Sequence, residues 1–188
     1  MRSIQPVNLS GRKSMASNKK YQLILASNSP RRKELMGWID VPFIIQGSDV
    51  EEVSDASDPV QFALDIAKLK GESVWDLLDK NTNPLIVASD TLVELNGKIL
   101  GKPSSRDEAQ AMLNELAGNW HRVVTSVFIR AEVDGQVRDK EFAVETRVKF
   151  GKIPRDIMIP YLDSKESMDK AGAYGIQGKG LTFVEALE

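Results

Sequence analysis

Residues 23–34 read LILASNSPRRKE, and the fold can be worked outward from them. Leu23 to Ala26 form an apolar, strand-like run that empties into a polar loop, Ser27-Asn28-Ser29. Ser29 suits an N-cap and Pro30 the first helical position, where proline has no needed N–H and its φ is already helical. A helix beginning here turns its unpaired N–H groups back over the loop, and such a terminus attracts anions. Arg31, Arg32 and Lys33 add fixed positive charge, and arginine forks match phosphate oxygens. One reading is a capped helix with a solvated basic first turn. Basic side chains are poorly placed at that end of a helix dipole, which favours the other reading, a phosphate-chain site.

The composition bounds the rest. A chain of 188 residues with 41% hydrophobic content is most simply one domain with a sizeable core. A net charge of −2 leaves no broad basic surface and argues against a nucleic-acid partner. The absence of cysteine removes disulfides, thiol nucleophiles and zinc–thiolate sites together. No apolar run approaches the roughly 20 residues of a membrane-spanning helix, so no membrane partner is expected. Residues 1–20 are polar and basic, with no acidic side chain and no apolar middle of a secretory signal. A mitochondrial-type presequence shares this composition, but disorder explains it more simply, and Met15 offers an alternative start. The domain is therefore expected over residues 21–188.

Beyond Gly37 a strand is expected over Pro42–Gln46, then an acidic bend, Ser48-Asp49-Val50-Glu51-Glu52. Asp58-Pro59 repeats the cap-plus-proline signal and opens a long helix to about Asp79, with Ala63, Ala67, Val74 and Leu78 as its apolar row. Phe62, Ile66, Leu69 and Leu77 lie beside that row. Lys70 falls on the inward side, where it either snorkels out along the stripe or reaches an anion in a cleft. Leu85 to Ala88 form a continuous apolar strand leading into Ser89-Asp90-Thr91. Asp90 makes no turn, since Leu92–Leu95 continue in alternation to the Asn96-Gly97 hairpin signal. A carboxylate in mid-strand favours chemistry. Ser105 and Glu108 have capping-box spacing for a helix that stops at Gly118, and two long strands follow, joined by Asp134-Gly135. A short helix is expected over Pro154–Leu162. The lone histidine, His121, reads as structural. The segment DKAGAYGIQGKG, Asp169 to Gly180, fits neither a P-loop nor a dinucleotide fingerprint, leaving a mobile turn or a ligand loop.

The charges fall into two sets. Arg31, Arg32, Lys70 and Lys102 are cations at loop or cleft positions, and Glu52, Asp90 and Glu51 are carboxylates able to hold a divalent metal. Mg²⁺ needs only one or two protein carboxylates besides water and phosphate oxygens. Cations along a phosphate chain, a metal and a base to orient water are the parts of a phosphoanhydride hydrolase.

Five motifs in this order, SNSPRRKEL, SDVEE, SDT, GKP and DKAGAYGIQG, resemble the Maf family of nucleoside triphosphate pyrophosphatases from about Gln22 onward. The resemblance implies an α/β fold of Maf or ITPase-like architecture: a mixed, twisted central sheet, flanking helices and two lobes around a cleft. It implies cleavage between the α and β phosphates with a divalent cation, Mg²⁺ or Mn²⁺, in a cytoplasmic enzyme that clears surplus nucleotides, in many members as a homodimer. By the same resemblance Asp90 is the proton acceptor, Glu52 a second essential acid at the metal with Asp90, and Ser27, Arg32, Lys70 and Lys102 contact substrate. Arg31, Thr91 and Gln177 match the subgroup acting on dTTP and UTP, with modified pyrimidine triphosphates accepted too. A glutamine amide can pair with the donor–acceptor edge of a pyrimidine.

The family usually continues past the position of Glu188 through a Gly-Leu-Pro segment and a final helix. Leu181–Val184 is accordingly expected as the last strand here, with an uncovered edge that lowers stability or favours association. That departure keeps a second class in view, a catalytically impaired nucleotide-binding or regulatory protein.

Overall fold

The computed structural model describes residues 20–188; the basic tail expected over residues 1–20 lies, apart from Lys20, outside the described residues. Among the described residues seven strands form one mixed sheet: β1 (Gln22–Leu25), β2 (Phe43–Ile45), β3 (Pro84–Leu95), β4 (Lys98–Leu100), β5 (Trp120–Val133), β6 (Gln136–Phe150) and β7 (Val184–Leu187). Their order is β2-β1-β3-β5-β6-β7, with β4 paired to β3. The helices are α1 (Pro30–Gly37), α2 (Pro59–Leu77), α3 (Arg106–Leu116) and α4 (Arg155–Asp163). None of the described helices is long and apolar enough to cross a membrane.

β3 joins the two halves of the sheet. Its first residues pair in parallel with β1, and Leu85 to Glu94 pair antiparallel with β5. Alternate strand residues point to opposite faces, so one strand can feed two cores. Ile86 and Ala88 pack with Ile24, Ala67, Val74 and Phe128 under α2. Val93 and Leu95 pack with Leu113, Leu116, Phe150 and Phe183 on the opposite face. These cores are the two expected lobes. The polar triplet Ser89-Asp90-Thr91 lies between their contributions to β3.

Asp58 caps α2, its Oδ2 accepting the Gln61 N–H at 2.9 Å. Ser105 caps α3 through the Glu108 N–H at 3.1 Å, but the Glu108 carboxylate returns to the Ser104 N–H at 2.7 Å, one residue outside the box. Ser29 takes extended geometry before α1 without a side-chain capping bond; its own N–H donates to Ser27 Oγ at 3.2 Å. Leu77 stands 75% exposed, outside the apolar face of α2. The expected strand over Leu181–Val184 is a 3₁₀ turn over Lys179–Phe183, followed by β7 on the edge of the sheet. The physical cause is Glu166, whose carboxylate accepts the N–H groups of Lys179 and Gly180 and curls the chain so that Phe183 is buried.

His121 is structural, as expected. It is buried, with Nε2 2.7 Å from the Tyr174 hydroxyl and its ring edge-on to Phe150 at 4.8 Å. Burial holds its pKa down at about 4, against 6.5 in an unstrained setting. The unfolded chain therefore binds this proton more readily, so the contribution is complete above pH 6.5 and lost as pH falls through 4. The loss amounts to about 3 kcal/mol at most. Denaturant midpoints measured at pH 7, 5.5 and 4 should show a smaller acid-side decline in His121→Gln than in the unaltered chain.

Candidate active site

β1 ends by handing the Ala26 N–H to the Val87 carbonyl at 2.9 Å, which keeps the loop beginning at Ser27 against β3. Pro30 then starts α1, and Arg32 on its first turn points back over the sheet. Its Nη1 donates to Ser27 Oγ at 3.3 Å and its Nη2 to Thr91 Oγ1 at 3.5 Å, with Asp90 Oδ1 4.0 Å away. Burial lowers the Arg32 pKa, and attraction from Asp90 and Glu52 works the other way. A guanidinium stays charged through such a shift.

From the other side, α2 delivers Lys70. Its ammonium donates to Asp90 Oδ1 at 2.8 Å and lies 2.7 Å from Glu52 Oε1. The inward reading of this lysine holds, and snorkelling does not. Its reach depends on Gly71, where a Cβ would overlap the Phe128 ring on β5, so the helix can lie close to the sheet only with glycine there. A second clamp sits two turns earlier, where the buried Ser126 hydroxyl donates to the Ala63 carbonyl at 2.6 Å. Lys70 and Asp90 are both over 90% buried, while the Glu52 side chain is 47% exposed. A buried ion pair is retained only where geometry compensates the loss of water, and one ammonium shared by two carboxylates does that.

Thr91 turns to the opposite face, where its hydroxyl lies 3.2 Å from that of Thr125 on β5. Arg31 faces the second lobe and pairs with Asp169 at 3.8 Å. Asp169 also holds Lys170 at 2.6 Å, and Lys170 fits because a Cβ on Gly175 would come within 2.7 Å of its Cε. Gly172, at a φ of 64°, donates its N–H to the Gly101 carbonyl at 3.0 Å and ties the glycine loop to the GKP segment.

The structure thus brings Ser27, Arg32, Glu52, Lys70, Asp90 and Thr91 together, with Arg31 alongside. It does not bring Lys102 or Gln177 to them. Both are exposed and have no hydrogen-bond or ion-pair partner among the described residues, because their loops are anchored at Gly172 and Glu166, not at Asp90. Thr125 and Gly71 escaped the sequence reading. Thr125 becomes visible only with the β3–β5 register, whereas a glycine inside an amphipathic helix is itself a sign of close approach. No group of three or more metal-ligating side chains converges among the described residues. Glu52 and Asp90 form a two-carboxylate set, enough for a hard cation that takes its other oxygens from water and phosphate.

A guanidinium, an ammonium and hydroxyl groups thus gather around a buried carboxylate, a set of donors whose chemistry suits anionic oxygens. The Maf-like protein model matches residues 22–188, and the chain belongs to the Maf family. Its relatives include proteins named dTTP/UTP pyrophosphatase. One from Fusobacterium nucleatum is 42% identical, over 88% of this chain and 83% of that protein. One from Methylobacillus flagellatus is 43% identical over 89% and 82%, and one from Pyrococcus abyssi 41% over 88% and 84%. Likeness to the solved structure of a HAM1 protein from Coxiella burnetii is loose, with a TM-score of 0.45 at 14% identity, over 85% of this chain and 90% of that one.

The shared ammonium makes Lys70 and Asp90 energetically dependent on one another. A double-mutant cycle of Lys70→Met and Asp90→Asn, read by urea denaturation, should give a coupling of about 0.5–3 kcal/mol. Additive effects would show that the contact contributes nothing.

Proposed function

We propose that this chain hydrolyses nucleoside triphosphates to monophosphate and pyrophosphate, with dTTP and UTP as its substrates and modified pyrimidine triphosphates accepted. The carrying observation is the buried Asp90 carboxylate held against Lys70 at 2.8 Å, with Arg32 4.0 Å away and itself bonded to Ser27. The relatives named dTTP/UTP pyrophosphatase support the same activity and its pyrimidine preference.

In this reading Arg32, Lys70 and the Ser27 hydroxyl hold oxygens of the phosphate chain, offsetting the charge that builds as the bond breaks. Asp90 accepts a proton from a water molecule whose oxygen bonds to the α-phosphorus. The bond from the α-phosphorus to the bridging oxygen breaks, and pyrophosphate leaves with that oxygen. Glu52 and Asp90 would hold a divalent cation, Mg²⁺ or Mn²⁺, which when bound supplies further charge neutralisation on the phosphates. Arg31 and Thr91 flank the nucleotide from α1 and β3. Lys102 and Gln177 stand on the second lobe without partners of their own and meet the nucleotide there, Gln177 at the pyrimidine edge.

The physiological role is removal of surplus or non-standard pyrimidine nucleotides, in the cytoplasm, by residues 21–188 acting as one domain. A homodimer is the proposed assembly, with neither nucleic acid nor membrane as a partner. The rival reading, a binding protein that has lost turnover, gives no purpose to the buried base.

A panel of dTTP, UTP, CTP, GTP, ATP, ITP and 7-methyl-GTP with Mg²⁺, read by pyrophosphate release, tests this. Turnover should be confined to dTTP and UTP, and Asp90→Asn should lower kcat by about 10²–10⁴-fold. Binding of dTTP by that variant should stay within a few-fold. Fastest hydrolysis of 7-methyl-GTP would overturn the substrate assignment.

A further inference from the structure

Glu52 lies on a stretch, residues 46–58, with no helix or strand of its own, yet its carboxylate reaches Lys70. Two side-chain clasps to α2 bracket it. On one side the Ser48 and Ser73 hydroxyls are 2.8 Å apart. Ser73 spends its proton on the Lys70 carbonyl at 3.0 Å, so Ser48 is the donor between them, and Ser48 in turn accepts the Val50 N–H at 3.4 Å. On the other side Ser54 Oγ donates to Asp65 Oδ2 at 2.6 Å and accepts the Ala56 N–H at 3.1 Å. The second carboxylate oxygen of Asp65 is held by the Gln61 amide at 2.7 Å, which sets its orientation. Both bonds favour the ionised form and hold the Asp65 pKa below the usual carboxylate value.

Asp65 and Ser73 are eight residues apart on α2, two turns or about 12 Å. Ser48 and Ser54 enclose Glu52 on the loop as Ser73 and Asp65 enclose Lys70 on the helix. The loop is thereby laid along α2 with Glu52 facing the lysine.

We propose that Ser73 and Asp65 are positioning residues: they clasp the acidic loop at both ends and so set the Glu52 carboxylate at the Lys70–Asp90 pair. Neither reaches Asp90 or Arg32, so they act through Glu52. The inference rests on the proposed hydrolase reading for its catalytic consequence, but the clasp itself is independent of turnover.

The test uses the full chain and the double variant Ser73→Ala/Asp65→Ala, with Ser73→Thr as a conservative companion that keeps the hydroxyl. Amide hydrogen exchange over residues 48–56 should rise at least tenfold in the double variant, with exchange in β3 and β5 unchanged, and stay near the unaltered rate in Ser73→Thr. The stability coupling between Glu52→Gln and Lys70→Met should vanish in the clasp-free background. With dTTP, the Mg²⁺ concentration for half-maximal rate should rise several-fold, more than kcat falls. Unchanged exchange and an intact Glu52–Lys70 coupling would overturn the proposal. If the unaltered chain releases no pyrophosphate, the hydrolase reading fails, while exchange and coupling still decide the clasp.

Discussion

A buried ammonium must find anions, and in this protein that need organises the site. Lys70 is delivered to the sheet by a helix whose next residue is glycine, and it finds Asp90 in mid-strand and Glu52 on a loop. Removing either carboxylate leaves charge poorly compensated in a poor solvent, and removing the lysine sets two carboxylates together. The arrangement therefore selects for all three groups at once. Asp90 thus stands with a lysine ammonium at 2.8 Å and an arginine guanidinium 4.0 Å off.

The sheet explains why this cluster sits where it does. β3 contributes to one core under α2 and to a second, on its other face, under α3 and α4. Neither core covers both faces around Ser89–Thr91, so polar side chains can stand there between the lobes. Parallel pairing with β1 brings the Ser27 loop to the same place, and α1 follows with its arginines. One lobe supplies the Asp90 carboxylate and the cations facing it. The other supplies a glycine-rich loop, joined to the first through the Arg31–Asp169 pair.

Much of this was legible in the amino-acid order. The strand–loop–helix of residues 22–37 and the Asp58-Pro59 start of α2 are local events with local signals, and the structure has them within a residue or so. Asp90 stood out because an aspartate with no turn to make is out of place in a strand. What was illegible depends on contacts distant in sequence. The fate of Lys70 turned on a glycine meeting a phenylalanine 57 positions away. The shift of the last strand to Val184–Leu187 turned on Glu166 accepting N–H groups from Lys179 and Gly180, and no propensity encodes that. Lys102 and Gln177 carry motif signals, yet their loops are anchored to other parts of the second lobe, so motif order alone did not place them against the cluster.

In the proposed hydrolase, Lys70 joins Asp90, Glu52 and the phosphate chain. The most direct measurement is the initial rate of pyrophosphate release from dTTP by Lys70→Met, alongside far-ultraviolet circular dichroism to show that the fold persists. That role predicts a fall in kcat/KM of about 100-fold or more, roughly 3 kcal/mol of lost transition-state stabilisation, in a folded protein. A folded variant that hydrolyses dTTP at close to the unaltered rate would contradict it.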